Sequence, residues 1–441
     1  MTDTSSPSSS KRKTSRRRRV AFAAVALLLV GVFAEVVSAI GLYFSLETGQ
    51  SFQDLAQWQE QLALTSRGEE DSGVVVHPFT GWCLNPQVSG GDEVFGKRIP
   101  VNRFGFVDDQ ESVQQRAPDR LIIGVTGGSV AWQMTVGAHD VIREILHQSP
   151  LFRDLDIRIL RIGQSGYKQP QQLMTVNWLM ALGGEFDAVV NLDGYNELAL
   201  TISDNFLRDI HTAYPRAWNT RMLELIDPRE SAERMRLLEI TSHRQRIARR
   251  VRSIPWRWSY TANAVWRTLD RLGRREKQKL EKLLVEKHSQ REGLGFAESG
   301  PHEDISSADD ALVVATETWL RCSIQTHRLL AGSGTVYLHA LQPNQHFKGS
   351  KPLSAEEVEL AAMQKAAERT AIETGYPLLL ARQPDLEAAG VEFLDLSLLY
   401  RDEASSMYSD PCCHLNQEGN RRLATAIAVR LRGLLEKSRQ K

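Results

Sequence analysis

The chain is poor in the signatures that would settle its chemistry at a glance. Its 441 residues hold four cysteines, Cys83, Cys322, Cys412 and Cys413, with no Cys-x-x-Cys pair and no His-x-x-x-His spacing, so a structural zinc site has little support. Lys and Arg number 54 and so do Asp and Glu, and this balance argues against a nucleic-acid partner, whose domain would be basic. No self-similarity of fixed period is visible, which argues against a solenoid. There is no Gly-x-Gly-x-x-Gly spacing and no P-loop lysine, which lowers the nucleotide-binding reading of the glycine pairs that do occur. What remains is a globular composition, 42% hydrophobic and 24% charged, long enough for one large domain with attachments.

Charge is nonetheless unevenly placed. Lys11-Arg12-Lys13 and Arg16-Arg17-Arg18-Arg19 precede a hydrophobic run from Val20 to Phe44 that only Glu35 interrupts. As a helix this run would reach roughly 37 Å, enough to cross a ~30 Å hydrocarbon core with some tilt. The basic flank places residues 1–19 in the cytoplasm and the rest of the chain outside, as a single-pass protein of the inner (cell) membrane. A cleaved signal peptide is the competing reading, with Val32-Phe33-Ala34 as its cleavage site. The continuation of the run through Leu42-Tyr43-Phe44 favours a retained anchor.

Five segments follow from composition: a basic tail over 1–19, a transmembrane helix over 20–44, a linker helix over 45–72 ending in Glu69-Glu70-Asp71, a small β-rich segment over 73–114, and a main domain over 115–441. The β-rich segment reads as structural first and as a substrate-facing rim second. In the main domain strands and helices alternate. Strands are expected at Leu121–Thr126, Asp156–Ile162, Ala188–Leu192, Thr335–Leu341 and Val391–Leu396. Helices are expected at Val130–His147, Pro170–Leu182, Ala308–Ala331, Ser354–Thr374 and Gln417–Leu435. This alternation argues an α/β fold: a five-stranded, flavodoxin-like, doubly wound parallel sheet. A charged, largely helical insertion, rich in Arg and carrying Trp256, Trp258 and Trp266, interrupts it over about 205–307. It reads as a solvated cover, a lid, or a basic surface that meets the membrane.

Several chemistry-bearing residues fall just past strand ends. Ser129 follows Gly127-Gly128 after the first strand, Gly166 follows the second, Asn196 the third, and His414 lies near the C-terminus in Asp410-Pro411-Cys412-Cys413-His414. A serine hydroxyl needs a base, and an imidazole of near-neutral pKa suits both proton removal and return. Backbone N–H groups of Ser129 and Gly166 and the Asn196 amide would serve a developing oxyanion. In this order the residues resemble the four blocks of the SGNH, or GDSL-type, hydrolases, in particular the membrane-anchored bacterial ones. The family's Gly-Asp-Ser-Leu reads Gly127-Gly128-Ser129-Val130 here, its Gly-x-Asn-Asp ends in Glu197, and its Asp three residues before His is Pro411, with Asp410 one place earlier.

The resemblance implies an esterase or acylhydrolase working through an acyl-Ser129 intermediate, with His414 as base, Asp410 orienting it, no cofactor and no metal, and an acylated glycan or lipid as substrate. An O-acyltransferase with the same triad and a non-catalytic glycan-binding scaffold are the alternatives. Asp395 is the spare orienting acid, and Glu197 is expected to cap or pair locally. His339 and His346 are either satisfied structural histidines or substrate contacts near the site edge. A bridge from Cys412 or Cys413 to Cys322 or Cys83 would fix the His414 loop; buried free thiols are the other reading.

Overall fold

The computed structural model describes residues 16–45, 52–64, 73–86, 92–223, 231–253, 256–289 and 296–440. The Lys11-Arg12-Lys13 cluster, the Glu69-Glu70-Asp71 run and the other residues outside these ranges are not described. Two compact units emerge, Met1–Asp71 with Asp227–Arg291, and Ser72–Ile226 with Glu292–Lys441. The part of the insertion that leaves the sheet-bearing unit is therefore narrower than the composition implied.

In the first unit, α1 (Arg16–Ser45) contains one stretch, Arg18–Phe44, long and apolar enough to cross a membrane. Its large side chains, Phe22, Leu27 and Phe33 among them, are exposed. The second helix, α2 (Phe52–Leu64), packs on α7 (Ser231–Arg252), and α8 (Tyr260–Ser289) packs on both α1 and α7. Leu42, Leu55, Leu62, Ala248 and Trp266 form this unit's apolar core.

The second unit is built on five parallel strands: β5 (Arg120–Gly127), β6 (Asp156–Arg161), β7 (Ala188–Asp193), β8 (Val336–Leu341) and β9 (Glu392–Asp395). They lie in the order β6-β5-β7-β8-β9, a 2-1-3-4-5 arrangement whose direction reverses between β5 and β7. Every residue of β7 is buried, Asn191 and Asp193 included, as in a strand covered on both faces. One covering layer is α3 (Ser129–His147) against α14 (Gln417–Arg439); the other is α4 (Gln171–Ala181), α10 (Ala308–Ala331) and α12 (Ala366–Ala381). Ligands of such open sheets bind beyond the C-terminal strand ends at the reversal point. Ser129 and Asn196 follow the two strands that flank it.

Two antiparallel hairpins precede the sheet: β1 (Val74–His77) with β2 (Gly81–Leu84), and β3 (Asp92–Val94) with β4 (Lys97–Ile99). They belong to the sheet-bearing unit. A buried ion pair ties the segment after them to β6, with Arg161 Nη1 2.8 Å from Asp108 Oδ1. Burial pushes the Asp108 carboxyl up to about 6 even though Arg161 pulls it down.

A second buried pair supports the far loop. Lys351 Nζ lies 2.7 Å from Glu357 Oε2, and neither side chain has any exposure. Glu357, in α11 (Ala355–Ala362), also accepts from the backbone N–H groups of Met407 (2.7 Å) and Tyr408 (3.0 Å). Truncating it leaves Lys351 buried without a counter-charge, its Nζ keeping the Pro352 carbonyl at 2.9 Å. Glu357→Ala is expected to destabilise the fold by about 3–5 kcal/mol, measured as a lower urea midpoint at unchanged m-value; a midpoint within error of the parent would refute this.

Candidate active site

The turn after β5 is dictated by sterics. Gly127 has φ +139°, and a Cβ there would come within 2.0 Å of the Leu192 carbonyl oxygen on β7. Only glycine fits. Gly128 then caps α3 with extended backbone, leaving Ser129 as the first residue of the helix, half-buried. At that position its own N–H is among the helix's unpaired donors and feels the positive end of the macrodipole.

Ser129 Oγ lies 2.6 Å from His414 Nε2, across 285 residues of sequence. The other ring nitrogen, Nδ1, donates to Asp410 Oδ2. Asp410 thus takes the orienting position despite the extra residue. Its second oxygen, Oδ1, accepts from the N–H groups of Cys412, Cys413 and His414 at 3.0, 3.1 and 3.1 Å, a tight turn that absorbs Pro411 and brings the imidazole back over the carboxylate. Burial works against ionisation of Asp410, but these bonds and the His414 ring hold it down at about 2. Burial likewise opposes the imidazolium, yet the Asp410 carboxylate and the Cys412 thiol beside the ring raise His414 to about 10. The spare acid, Asp395, caps its own turn by accepting from the Ser397 N–H at 2.8 Å.

Asn196 sits in the first turn of α5 (Tyr195–Leu200), and its Nδ2 donates to the Tyr167 carbonyl at 2.7 Å. An amide carries two N–H protons, so one remains for an oxyanion. The helix start is held by Glu197, whose Oε2 accepts from Gly194 N–H (2.8 Å) and whose Oε1 accepts from Gln172 Nε2 (2.9 Å). Burial, with the Asp193 charge adding to it, pushes Glu197 up to about 8.

Gly166 is buried with φ +83°, one residue before Tyr167. Tyr167 is anchored in turn by the β1–β2 hairpin: its hydroxyl donates to the Trp82 carbonyl and lies 3.0 Å from Thr80 Oγ1, and its ring meets Trp82 edge-on at 5.0 Å. The hairpin thus acts on the site from behind, through Tyr167. Arg216 lies on its other side, with its Cδ 3.1 Å from where a Cβ on Gly166 would be.

The room for Asn196 comes from Gly128, the position where the SGNH pattern has Asp. A Cβ on Gly128 would lie 2.3 Å from Asn196 Nδ2. Gly128→Ala is accordingly expected to push the amide aside and lower kcat about 10²–10³-fold with little change in thermal stability. Steady-state kinetics beside a melting curve would check it, and a kcat within a few-fold of the parent would refute it.

Sequence reasoning missed the grip on the His414 loop. After β8, Gln345 Nε2 donates to the carbonyls of Asp410 and Pro411, both at 2.8 Å. His346 Nε2 donates to Pro411 O (2.8 Å) and Asn344 Nδ2 to Cys412 O (3.2 Å). Burial lowers the His346 pKa, in keeping with a neutral ring that donates. His339 is fully buried in β8, bonded to Asp193 (2.9 Å) and Ser323 (2.7 Å), which makes it structural.

All four cysteines are free. The bridge considered for the His414 loop does not form. Cys83 lies against Gly105 in the hairpin region and Cys322 is buried in α10, while Cys412 and Cys413 stand beside the His414 ring. Among the described residues, Cys412, Cys413 and His414 are the group whose ligand atoms lie within 4.8 Å of one another. Both nitrogens of that ring are already engaged, by Ser129 and Asp410. No protein-family model matches the chain, and no curated protein matches it.

Proposed function

We propose that this chain is a membrane-anchored serine esterase of the SGNH type, with its flavodoxin-like domain on the extracytoplasmic side and an acylated glycan or lipid as substrate. The observation that carries the reading is the continuous chain of hydrogen bonds from Ser129 Oγ through His414 to Asp410, at the sheet's reversal point. The 2-1-3-4-5 strand order is that of flavodoxin-like sheets. The anchor rests on α1, and its orientation on the basic flank Arg16–Arg19.

In this mechanism Ser129 Oγ attacks the ester carbonyl carbon as its proton passes to His414 Nε2. The carbonyl oxygen, now anionic, is met by the N–H groups of Ser129 and Gly166 and by the free Asn196 amide proton. Collapse breaks the ester C–O bond, and His414 returns the proton to the departing alcohol. Water then repeats the sequence on acyl-Ser129 and releases the acid. If a sugar hydroxyl replaces water in the last step, the same residues perform acyl transfer.

The test is a stopped-flow assay with p-nitrophenyl acetate, with and without added oligosaccharide. An initial burst of nitrophenol equal to the enzyme, together with an acetylated Ser129 peptide, is expected. Acid release marks the hydrolase; acetylated sugar marks the transferase. Folded protein that shows neither burst nor adduct is a scaffold, and the proposal fails.

A further inference from the structure

Glu35 is the one charged residue of α1 between Val20 and Phe44. Its carboxylate accepts from Ser259 Oγ and Tyr260 N–H, both at 2.6 Å, and from Thr261 N–H at 3.3 Å. One step further along α1, Ser38 Oγ donates to Thr261 Oγ1 at 3.3 Å. These donors form the N-terminus of α8, whose first N–H groups have no partner within their own helix. Glu35 therefore caps α8 from another helix, and the macrodipole favours a carboxylate there. This contact fixes where α8 begins along α1.

That level can be placed against a bilayer. From Val20 to Glu35 a helix rises ~22 Å, against a hydrocarbon core of ~30 Å. If α1 crosses as proposed above, Glu35 lies in the far leaflet, roughly a turn and a half below the boundary opposite Arg16–Arg19. A carboxylate at that depth is costly unless paired, and α8 supplies the partners.

The turn that enters α8, bonded to Glu35, must then lie at about the depth of Glu35, just inside the same boundary. It carries Trp256, 56% exposed, and Trp258, 70% exposed, with Tyr260 at 43%. Arg257 lies between the indoles, its guanidinium 5.1 Å from the Trp258 ring centroid. The last turn of α7, just before, bears Arg249, Arg250 and Arg252, the last of them paired with Glu60. Indoles favour the headgroup level of a membrane, where one edge is apolar and the other wet. Basic side chains near that surface attract anionic lipids.

We infer that the Trp256-Arg257-Trp258 turn is a second membrane contact, seated at the headgroup–acyl boundary of the leaflet opposite the basic tail, with Arg250 and Arg257 reaching anionic headgroups. It rests on α1 being a span. The α7–α8 hairpin then meets the bilayer at its tip, in addition to the tether.

The test uses the full chain in nanodiscs of phosphatidylcholine and phosphatidylglycerol, one of them brominated at acyl positions 6 and 7. Brominated phosphatidylglycerol is expected to quench tryptophan fluorescence at least twice as strongly as brominated phosphatidylcholine at equal content. The double variant Trp256→Phe/Trp258→Phe is expected to lose more than half of that quenching, although seven of the nine tryptophans remain. Equal quenching by the two lipids, or undiminished quenching in the variant, overturns the inference while α1 stands as a span. Protein that does not co-migrate with the discs overturns the span and this contact together.

Discussion

Replacing Ser129 with alanine is expected to lower ester cleavage about 10⁶-fold and to abolish labelling by a fluorophosphonate. The size of the effect follows from how the site is joined. Oγ is the atom that His414 Nε2 faces at 2.6 Å. Without it the imidazole can still activate a water, and the oxyanion donors still act, so a residual rate of ~10³–10⁴ over the uncatalysed reaction is expected. The fold should not suffer, because alanine keeps the first turn of α3 and the Gly127–Leu192 approach is untouched. A Ser129→Ala protein that keeps more than a hundredth of the parent activity, or still takes the probe, would sink the assignment of the nucleophile.

Asp410→Asn is the second large effect, and it has a sign in pH. The parent His414 is held above its ordinary 6.5, at about 10, after burial is outweighed by Asp410 and Cys412. Only the neutral ring can take the Ser129 proton. In the free enzyme kcat/KM should therefore climb with rising pH toward that alkaline value. Asparagine removes the negative charge, so the His414 pKa falls and the climb moves to lower pH. The rate at its plateau also falls, by about 10⁴-fold, because an amide facing Nδ1 no longer fixes the tautomer that presents Nε2 as acceptor. Two readouts thus move together, a lower maximum and a less alkaline profile. A profile that stays where it was would show that Asp410 is structural and that the ring is raised by something else.

Ser129, Gly166 and Asn196 could be placed just past the first three strands because strand ends are visible as apolar runs closed by glycine, whereas His414 was linked to them only by the resemblance to the SGNH blocks. The helix Ala308–Ala331 was legible to the residue, since Ser307 caps it by accepting from Asp310 N–H and Gly332 follows it. The helix expected over Ser354–Thr374 was not. It breaks between α11 and α12 at Met363-Gln364-Lys365, residues with no aversion to helix. There Gln364 Nε2 donates to the buried Tyr195 hydroxyl at 2.8 Å and to Glu368, and Tyr195 OH also donates to Glu368 at 3.1 Å. A tertiary cluster overrides local preference, and no window of sequence contains both sides of it. The hold of Asn344, Gln345 and His346 on the His414 loop was hidden for a different reason. Their partners are main-chain carbonyls, which carry no letter. Of the two readings of the cysteines, a bridge to the His414 loop or free thiols, the second holds, and the loop is closed by the Asp410 turn.

The separation between the serine and its base also has a meaning in time. His414 emerges from the ribosome 285 residues after Ser129. Throughout that interval Ser129 lacks this imidazole, and in the proposed mechanism a nascent chain would carry an unactivated alcohol. In the proposed mechanism, reactivity would arrive only when the closing segment docks against α3 and the loop after β8, so the activity would be born with the completion of folding.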